Sequence, residues 1–210
     1  MDKIVVIGGG GHAKVLISIL KRLDGYDVIG YTDVRDNGPV LGIPYLGSDD
    51  VLQNLLDQGI GKAVLGIGQI KNYQIRQKIV TRAKSINFKF PPIVAPSAII
   101  NEDVSLDEGV VVMDGVVINS GTRVGAFSII NTKASVDHDC NIAEFVHIAP
   151  GVTLSGGVTV ERFTLIGTGA SVIQGITVGE KCIIGAGSAV MKNCLPNSLY
   201  VGSPAKKFGR

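Results

Sequence analysis

From Ile100 onward every sixth residue of the chain is a large aliphatic: Ile100, Leu106, Val112, Ile118 and so on to Val190, without one insertion. Two residues before each lies a small or β-branched side chain, among them Ala98, Thr122, Ser128, Cys140, Val158 and Cys182. Three residues after it, half of the positions are glycine: 109, 115, 121, 151, 157, 169, 175 and 187. In an extended strand, residues two apart point to the same face. The pattern therefore predicts a prism whose inside is filled by the large aliphatics, with small residues near the corners. Glycine, Asn or Asp is expected at the turns, where positive φ costs least. Three hexads close one coil of 18 residues, so positions 98–190 predict about five coils of a parallel β-helix.

The first ninety residues follow a different rule. Lys3–Ile7 reads as a strand, Ala13–Arg22 as a helix and Asp27–Tyr31 as a second strand. Ser48–Leu56 reads as a helix, Lys62–Ile67 as a third strand and Asn72–Ser85 as a helix. This alternation predicts a βαβαβα unit, half of a doubly wound nucleotide-binding domain. Pro91, Pro92 and Pro96 punctuate the passage into the repeat. The expected organisation is an α/β half-Rossmann domain over 1–90, a β-helix over 91–192 and a C-terminal cap over 193–210.

Composition agrees with a repeat of small branched residues. Glycine is 28 of 210, about twice the usual share, and tryptophan is absent. The net charge is +2, and no clustered basic face of the kind nucleic acid requires is visible. No apolar run approaches the ~18 residues of a membrane span. The chain enters its first strand without a basic leader and cleavage site, so a cytoplasmic location is expected. Three cysteines without metal-ligand spacing fit a reduced compartment. Cys140 and Cys182 fall on inward positions, where burial would leave them inert rather than nucleophilic.

Candidate chemistry gathers at two places. Gly8-Gly9-Gly10-Gly11-His12-Ala13 fits G-x-G-x-x-A between a strand and a helix, a turn suited to phosphate. Asp33 falls where a ribose-binding carboxylate would lie. A dinucleotide needs two such halves, so a nucleotide-sugar is favoured over NAD, with a ligand-free structural cap as the plain alternative. In the repeat, His138 and Asp139 sit on a prism corner, and stepping by 18 places Gly156, Gly157 and Gly175 above them. That corner is stripped of side chains, leaving either room for a narrow ligand or mere turn geometry. His147 points outward from the stripe Val111, Ile129, His147, Leu165 and Ile183, an apolar surface that predicts a subunit contact. It is either a hydrogen-bonded interface residue or a ligand contact. His138 and His147 lie on different sides of the prism and His12 in another domain, so a three-ligand metal site is not expected.

The stretches GGGGHAKV, NTKASVDHDCNIAEFVHI and YVGSPAKKF together resemble the sugar-nucleotide acetyltransferases of the left-handed β-helix class. The resemblance covers nearly the whole chain. It is nearest to the N-acetyltransferases of UDP-4-amino-4,6-dideoxy sugars in bacillosamine biosynthesis, with GDP-perosamine and sialic acid acetyltransferases as relatives. The resemblance implies the left hand of the helix, a homotrimer, and acetyl-CoA as co-substrate between neighbouring prisms. It implies His138 as general base, followed here by Asp139 where the family commonly has Glu. Asn131 and His147 match positions near the acetyl group, and Gly156 one whose N–H faces the thioester carbonyl. Lys206 matches the cap near the CoA end. Gly10, Gly11, His12, Asp33 and Arg76 match the nucleotide-sugar site. The alternatives are an O-acetyltransferase of sialic acid or another glycan, and a non-enzymatic β-helix scaffold.

Overall fold

The computed structural model describes residues 1–70 and 73–209. The chain divides into two compact units, Met1–Pro96 and Ser97–Arg210.

The first unit is built from β1 (Asp2–Ile7), α1 (Gly11–Leu20), β2 (Tyr26–Thr32), β3 (Tyr45–Gly47), α2 (Leu52–Asp57), β4 (Lys62–Leu65) and α3 (Tyr73–Ser85). All four strands are parallel, in the order β3-β2-β1-β4. Central β1 buries Ile4, Val5, Val6 and Ile7 completely, as a parallel strand covered on both faces must. The chain passes from β1 to β2 on one side and returns to β4 on the other. The winding therefore reverses at the carboxyl end of β1, where open α/β sheets bind ligands.

Several boundaries differ from the sequence expectation, α1 running Gly11–Leu20 and β2 Tyr26–Thr32. The third strand stops at Leu65 rather than Ile67, although Gly66 still donates its N–H to the Ile7 carbonyl at 2.7 Å. A Cβ there would meet Val6 and Ala13 within 3 Å. The helix expected over Ser48–Leu56 opens as a 3₁₀ turn, Asp49–Val51, and becomes α-helical only at Leu52. The extra strand β3 has three residues, too few for an alternation to be read. The last helix is described from Tyr73; Asn72 lies outside the described residues.

The second unit is a left-handed parallel β-helix of two-residue strands on three faces. Through the repeat, strands pair with those 18 residues on: Ser135 with Thr153, Arg123 with Asn141, Ile129 with His147. The inward rows are buried as the hexad count requires; Val136, Ile148, Leu154, Val160, Ile166 and Ile184 are 0% exposed. Inward hydroxyls join successive coils. Thr122 Oγ1 donates to the Asp137 carbonyl at 2.9 Å and accepts from the Cys140 N–H at 3.2 Å. Ser128 and Thr164 repeat the arrangement.

Every turn position from Asp103 to Gly187 has positive φ, but glycine, Asn and Asp do not hold them all. Phe127, Phe145 and Phe163 take φ of 51–62°, and Lys133 and Lys181 do the same. The three rings stack, with centroids 5.3 and 5.8 Å apart, and Lys181 Nζ lies 5.9 Å from the last ring. Stacking along the corner offsets the ~1–2 kcal/mol that a side chain pays in the left-handed region. At the C-terminal end, Leu199–Val201 stacks on Ile183–Ile184, and Lys206–Phe208 folds back antiparallel to it. Among the described residues no helix is long and apolar enough to cross a membrane.

Candidate active site

The corner between the strands Ser135–Val136 and Asn141–Ile142 carries His138. Asp139 takes the left-handed turn position at φ 57°, which swings its carboxylate beside the imidazole. His138 Nδ1 lies 2.8 Å from Asp139 Oδ2, leaving Nε2 as the ring's outward nitrogen. The side chain is 62% exposed. The Asp139 hydrogen bond and then the charge of Asp137 raise its pKa above the ordinary histidine value.

The expectation of a cleared column above His138 holds in a more specific form. A Cβ at Gly156 would lie 2.6 Å from both Cε1 and Nε2 of His138, so the imidazole rests on bare backbone there. Gly157 donates to the His138 carbonyl at 2.9 Å, and Gly175 to that of Gly156 at 3.0 Å. A Cβ at Gly157 or Gly175 would meet nothing within 4 Å; positive φ selects glycine at those two.

Asn131 and His147 lie on a different face from His138, as expected for His147. Asn131 Nδ2 lies 3.1 Å from His147 Nε2, while Asn131 Oδ1 accepts from the Thr132 N–H at 2.7 Å. The amide is thereby oriented as donor, which makes Nε2 the acceptor and places a neutral ring's proton on Nδ1. The outward stripe is corrected in one respect. Val111, Ile129 and His147 are already buried within the single chain, His147 at 8% exposure. Only the upper end, with Leu165 half-buried and Ile183 38% exposed, remains open. The periodicity gives a side chain's direction and not what lies over it.

In the first unit, Gly8 turns at φ 108° and donates to the Thr32 carbonyl at 2.7 Å. Gly9 donates to Asp33 Oδ2 at 2.6 Å, and Val34 to Asp33 Oδ1 at 2.7 Å. Asp33 thus builds the turn. Gly10 caps α1 without a side-chain partner, and a Cβ at Gly10 or Gly11 would meet nothing within 4 Å. The amino end of α1 is left open, the environment an anion favours. The His12 ring lies beside Gly68, in the loop after β4. Arg76 is fully buried and donates to Gln69 Oε1 of that loop at 3.0 Å. Burial pushes its pKa down to about 9. Lys206 lies exposed in the terminal hairpin.

Two contributors escaped the sequence reading. Asn119 and Asp137 form an 18-residue step directly beneath His138, visible by the same arithmetic that found the glycines. Gly9 escaped because its role depends on Tyr31 and Asp33, whose approach only the sheet order creates. The cysteines are buried, and burial raises the pKa of Cys140 and Cys182, and that of Cys194 to about 12. Among the described residues no group of three or more His, Cys, Asp or Glu side chains is arranged to hold a metal ion.

The chain is similar to known proteins along nearly its whole length. Residues 3–83 match the family described as PglD N-terminal domain. The chain is 39% identical to a perosamine N-acetyltransferase from Caulobacter crescentus, crystallised as a histidine variant with CoA and GDP-perosamine. That match covers 99% of this chain and 97% of the relative, with a TM-score of 0.94. It is 34% identical to the acetyltransferase domain of PglB from Neisseria gonorrhoeae FA1090 in complex with acetyl coenzyme A, over 99% of each chain, with a TM-score of 0.91. A shorter stretch of 34 residues, 16% of this chain and 16% of the relative, is 56% identical to a Schizosaccharomyces pombe protein named as an acetyltransferase.

Proposed function

Because the chain belongs to the left-handed β-helix family of sugar N-acetyltransferases, enzymes that use acetyl-CoA, we propose that it acetylates the 4-amino group of a nucleotide-linked 4-amino-4,6-dideoxy sugar. The observation that carries this reading is the His138 corner: an exposed imidazole tied through Nδ1 to Asp139, with Nε2 over the bare backbone of Gly156.

The amine lone pair attacks the thioester carbonyl carbon, and the N–H proton passes to His138 Nε2. Asp139 holds the ring and stabilises the imidazolium that forms. The Gly156 N–H faces the oxyanion. The C–S bond then breaks, the amide forms, and the imidazolium returns its proton to the departing CoA thiolate. General-base assistance of this kind supplies roughly 10²–10⁴-fold, and proximity of two bound substrates much of the remainder. No covalent enzyme intermediate is needed, in keeping with the buried Cys140.

The first unit is the nucleotide-sugar domain, with Gly10, Gly11 and His12 at the diphosphate and Asp33 toward the ribose; Arg76 acts by bracing the loop after β4. The active form is a cytoplasmic homotrimer, in which Asn131 of one prism, with the buried His147 behind it, meets the His138 corner of the next, and acetyl-CoA runs past Gly157 and Gly175 toward Lys206. Lodging of the two histidines on different faces supports that arrangement, since a single prism keeps them apart.

The test is release of CoA thiol from acetyl-CoA with a panel of UDP- and GDP-linked 4-amino-4,6-dideoxy sugars, beside free sialic acid. Turnover with one nucleotide-linked amine is expected. Turnover on sialic acid alone would move the acceptor to a hydroxyl. Silence on every acceptor together with no acetyl-CoA binding would leave a scaffold.

A further inference from the structure

A ladder of side chains climbs the β-helix toward His138. Asn101 Nδ2 donates to Asn119 Oδ1 at 2.7 Å, and Asn119 Nδ2 donates to Asp137 Oδ1 at 3.0 Å. Each rung is 18 residues above the last. The third rung is a carboxylate, and its Oδ1 also accepts the backbone N–H of His138 at 2.8 Å. An asparagine at 137 could accept both bonds through its own Oδ1 and continue the amide series. What the carboxylate adds is a charge, placed at the one coil that carries the histidine.

We propose that Asp137 is a positioning residue for His138: it pins the corner from which the imidazole projects and sets a second negative charge on the histidine's own turn. The proposal rests on the acetyltransferase reading above. Among the described residues, Asp137 and Asp139 are the charged groups on the turn itself. The coil above presents Ser155, Gly156 and Gly157, and the coil below Asn119, Ser120 and Gly121. Cys140 points into the core. The Asp137 carboxyl is itself held below the usual range by the His138 N–H and then by Asn119, so it is ionised wherever the enzyme would work. Its charge raises the His138 pKa as the second cause after the Asp139 hydrogen bond. Asp139 fixes the ring's rotation through Nδ1, whereas Asp137 fixes the backbone beneath the ring and adds field. That division explains why two carboxylates flank one histidine.

The test is the titration of the His138 ring by NMR in the full chain, beside kcat and KM for both substrates. Asp137→Asn keeps both hydrogen bonds and removes the charge. The His138 pKa is expected to fall, by an amount that shrinks as added salt screens the surface charge. The kcat at the pH optimum should fall severalfold, with both KM values unchanged. Asp137→Glu keeps the charge and should hold the pKa near that of the parent. An unmoved His138 titration in Asp137→Asn, in a chain with the parent's melting temperature, would overturn the proposal and leave Asp137 a rung of the ladder. Because the ring titrates whether or not acetyl transfer occurs, a parent chain without turnover would strike the proposed function and not this measurement.

Discussion

The Nδ1 of His138 and the Oδ2 of Asp139 lie 2.8 Å apart although the two residues are sequence neighbours, a contact made possible by the left-handed φ of Asp139. In extended or helical backbone, adjacent side chains diverge. Here the turn doubles as the orienting device, which is how Asp reaches a ring that the family commonly serves with the longer Glu.

That contact sets a pH dependence. A histidine whose folded pKa is raised keeps its proton to higher pH. The free base is therefore lost as pH falls through the raised value, and kcat/KM is expected to drop on that acid limb. Asp139→Asn should shift the limb to lower pH and cut kcat by about tenfold or more, within the range of general-base effects. His138→Ala should remove most turnover at all pH and leave the fold intact, since the side chain is largely exposed. The stability linkage has its own sign: the raised pKa favours the folded state below the ordinary histidine value, and the gain is lost as pH rises through the raised one. A pH–rate profile of the three proteins checks the limb, and His138→Ala with near-normal activity would remove His138 as the base.

Gly156 and Gly169 separate two reasons for glycine. Gly156 carries no positive φ, yet a Cβ there would strike the His138 ring. Gly169 turns at φ 67° with open space around it. Gly156→Ala is therefore expected to lower kcat by about tenfold or more by displacing a positioned catalytic group, with little change in melting temperature. Gly169→Ala is expected to cost ~1–2 kcal/mol of stability for a side chain in the left-handed region and to leave kcat unchanged. Thermal melts and steady-state kinetics on the pair decide; equal effects on stability would dissolve the distinction.

Much of this could be read before any coordinates. The row of Val136, Ile148 and Leu154 is buried because a period of six admits one inward phase, so counting alone finds the core. The same arithmetic put Gly156 above His138. It did not find Phe127, Phe145 and Phe163 in left-handed turns, since the local rule prefers glycine, Asn or Asp, and only ring stacking between coils overrides it. The burial of His147 was hidden for a related reason, because periodicity assigns direction and not cover. In the first unit, the second role of Asp33 depends on β2 lying beside β1 in register, with Ile7 opposite Thr32.

Asp33 gives a binding prediction of its own. Its two oxygens receive the N–H groups of Gly9 and Val34, so its loss frees the glycine turn on one side and the loop after β2 on the other. Asp33→Ala is expected to raise KM for the nucleotide-sugar by about tenfold, the worth of one charged hydrogen bond or somewhat less. The KM for acetyl-CoA and the kcat at saturation should stay near the parent values. A rise confined to acetyl-CoA would contradict the assignment of the first unit to the sugar nucleotide.

Cys140 is two residues from His138 and is the nucleophile that a covalent route would choose. Its thiol is 1% exposed, donates to the Ser155 carbonyl at 3.3 Å, and has its pKa raised by burial. Thiolate is the reactive form, so the native thiol should resist iodoacetamide while the unfolded chain reacts. Cys140→Ala removes one buried sulfur from an inward corner, an expected loss of about 1–2 kcal/mol of stability, with turnover per folded enzyme kept. Mass spectrometry after brief mixing with acetyl-CoA should show no acetylated protein. An acetyl adduct on Cys140, or loss of turnover in the folded Cys140→Ala chain, would replace direct attack with a two-step route.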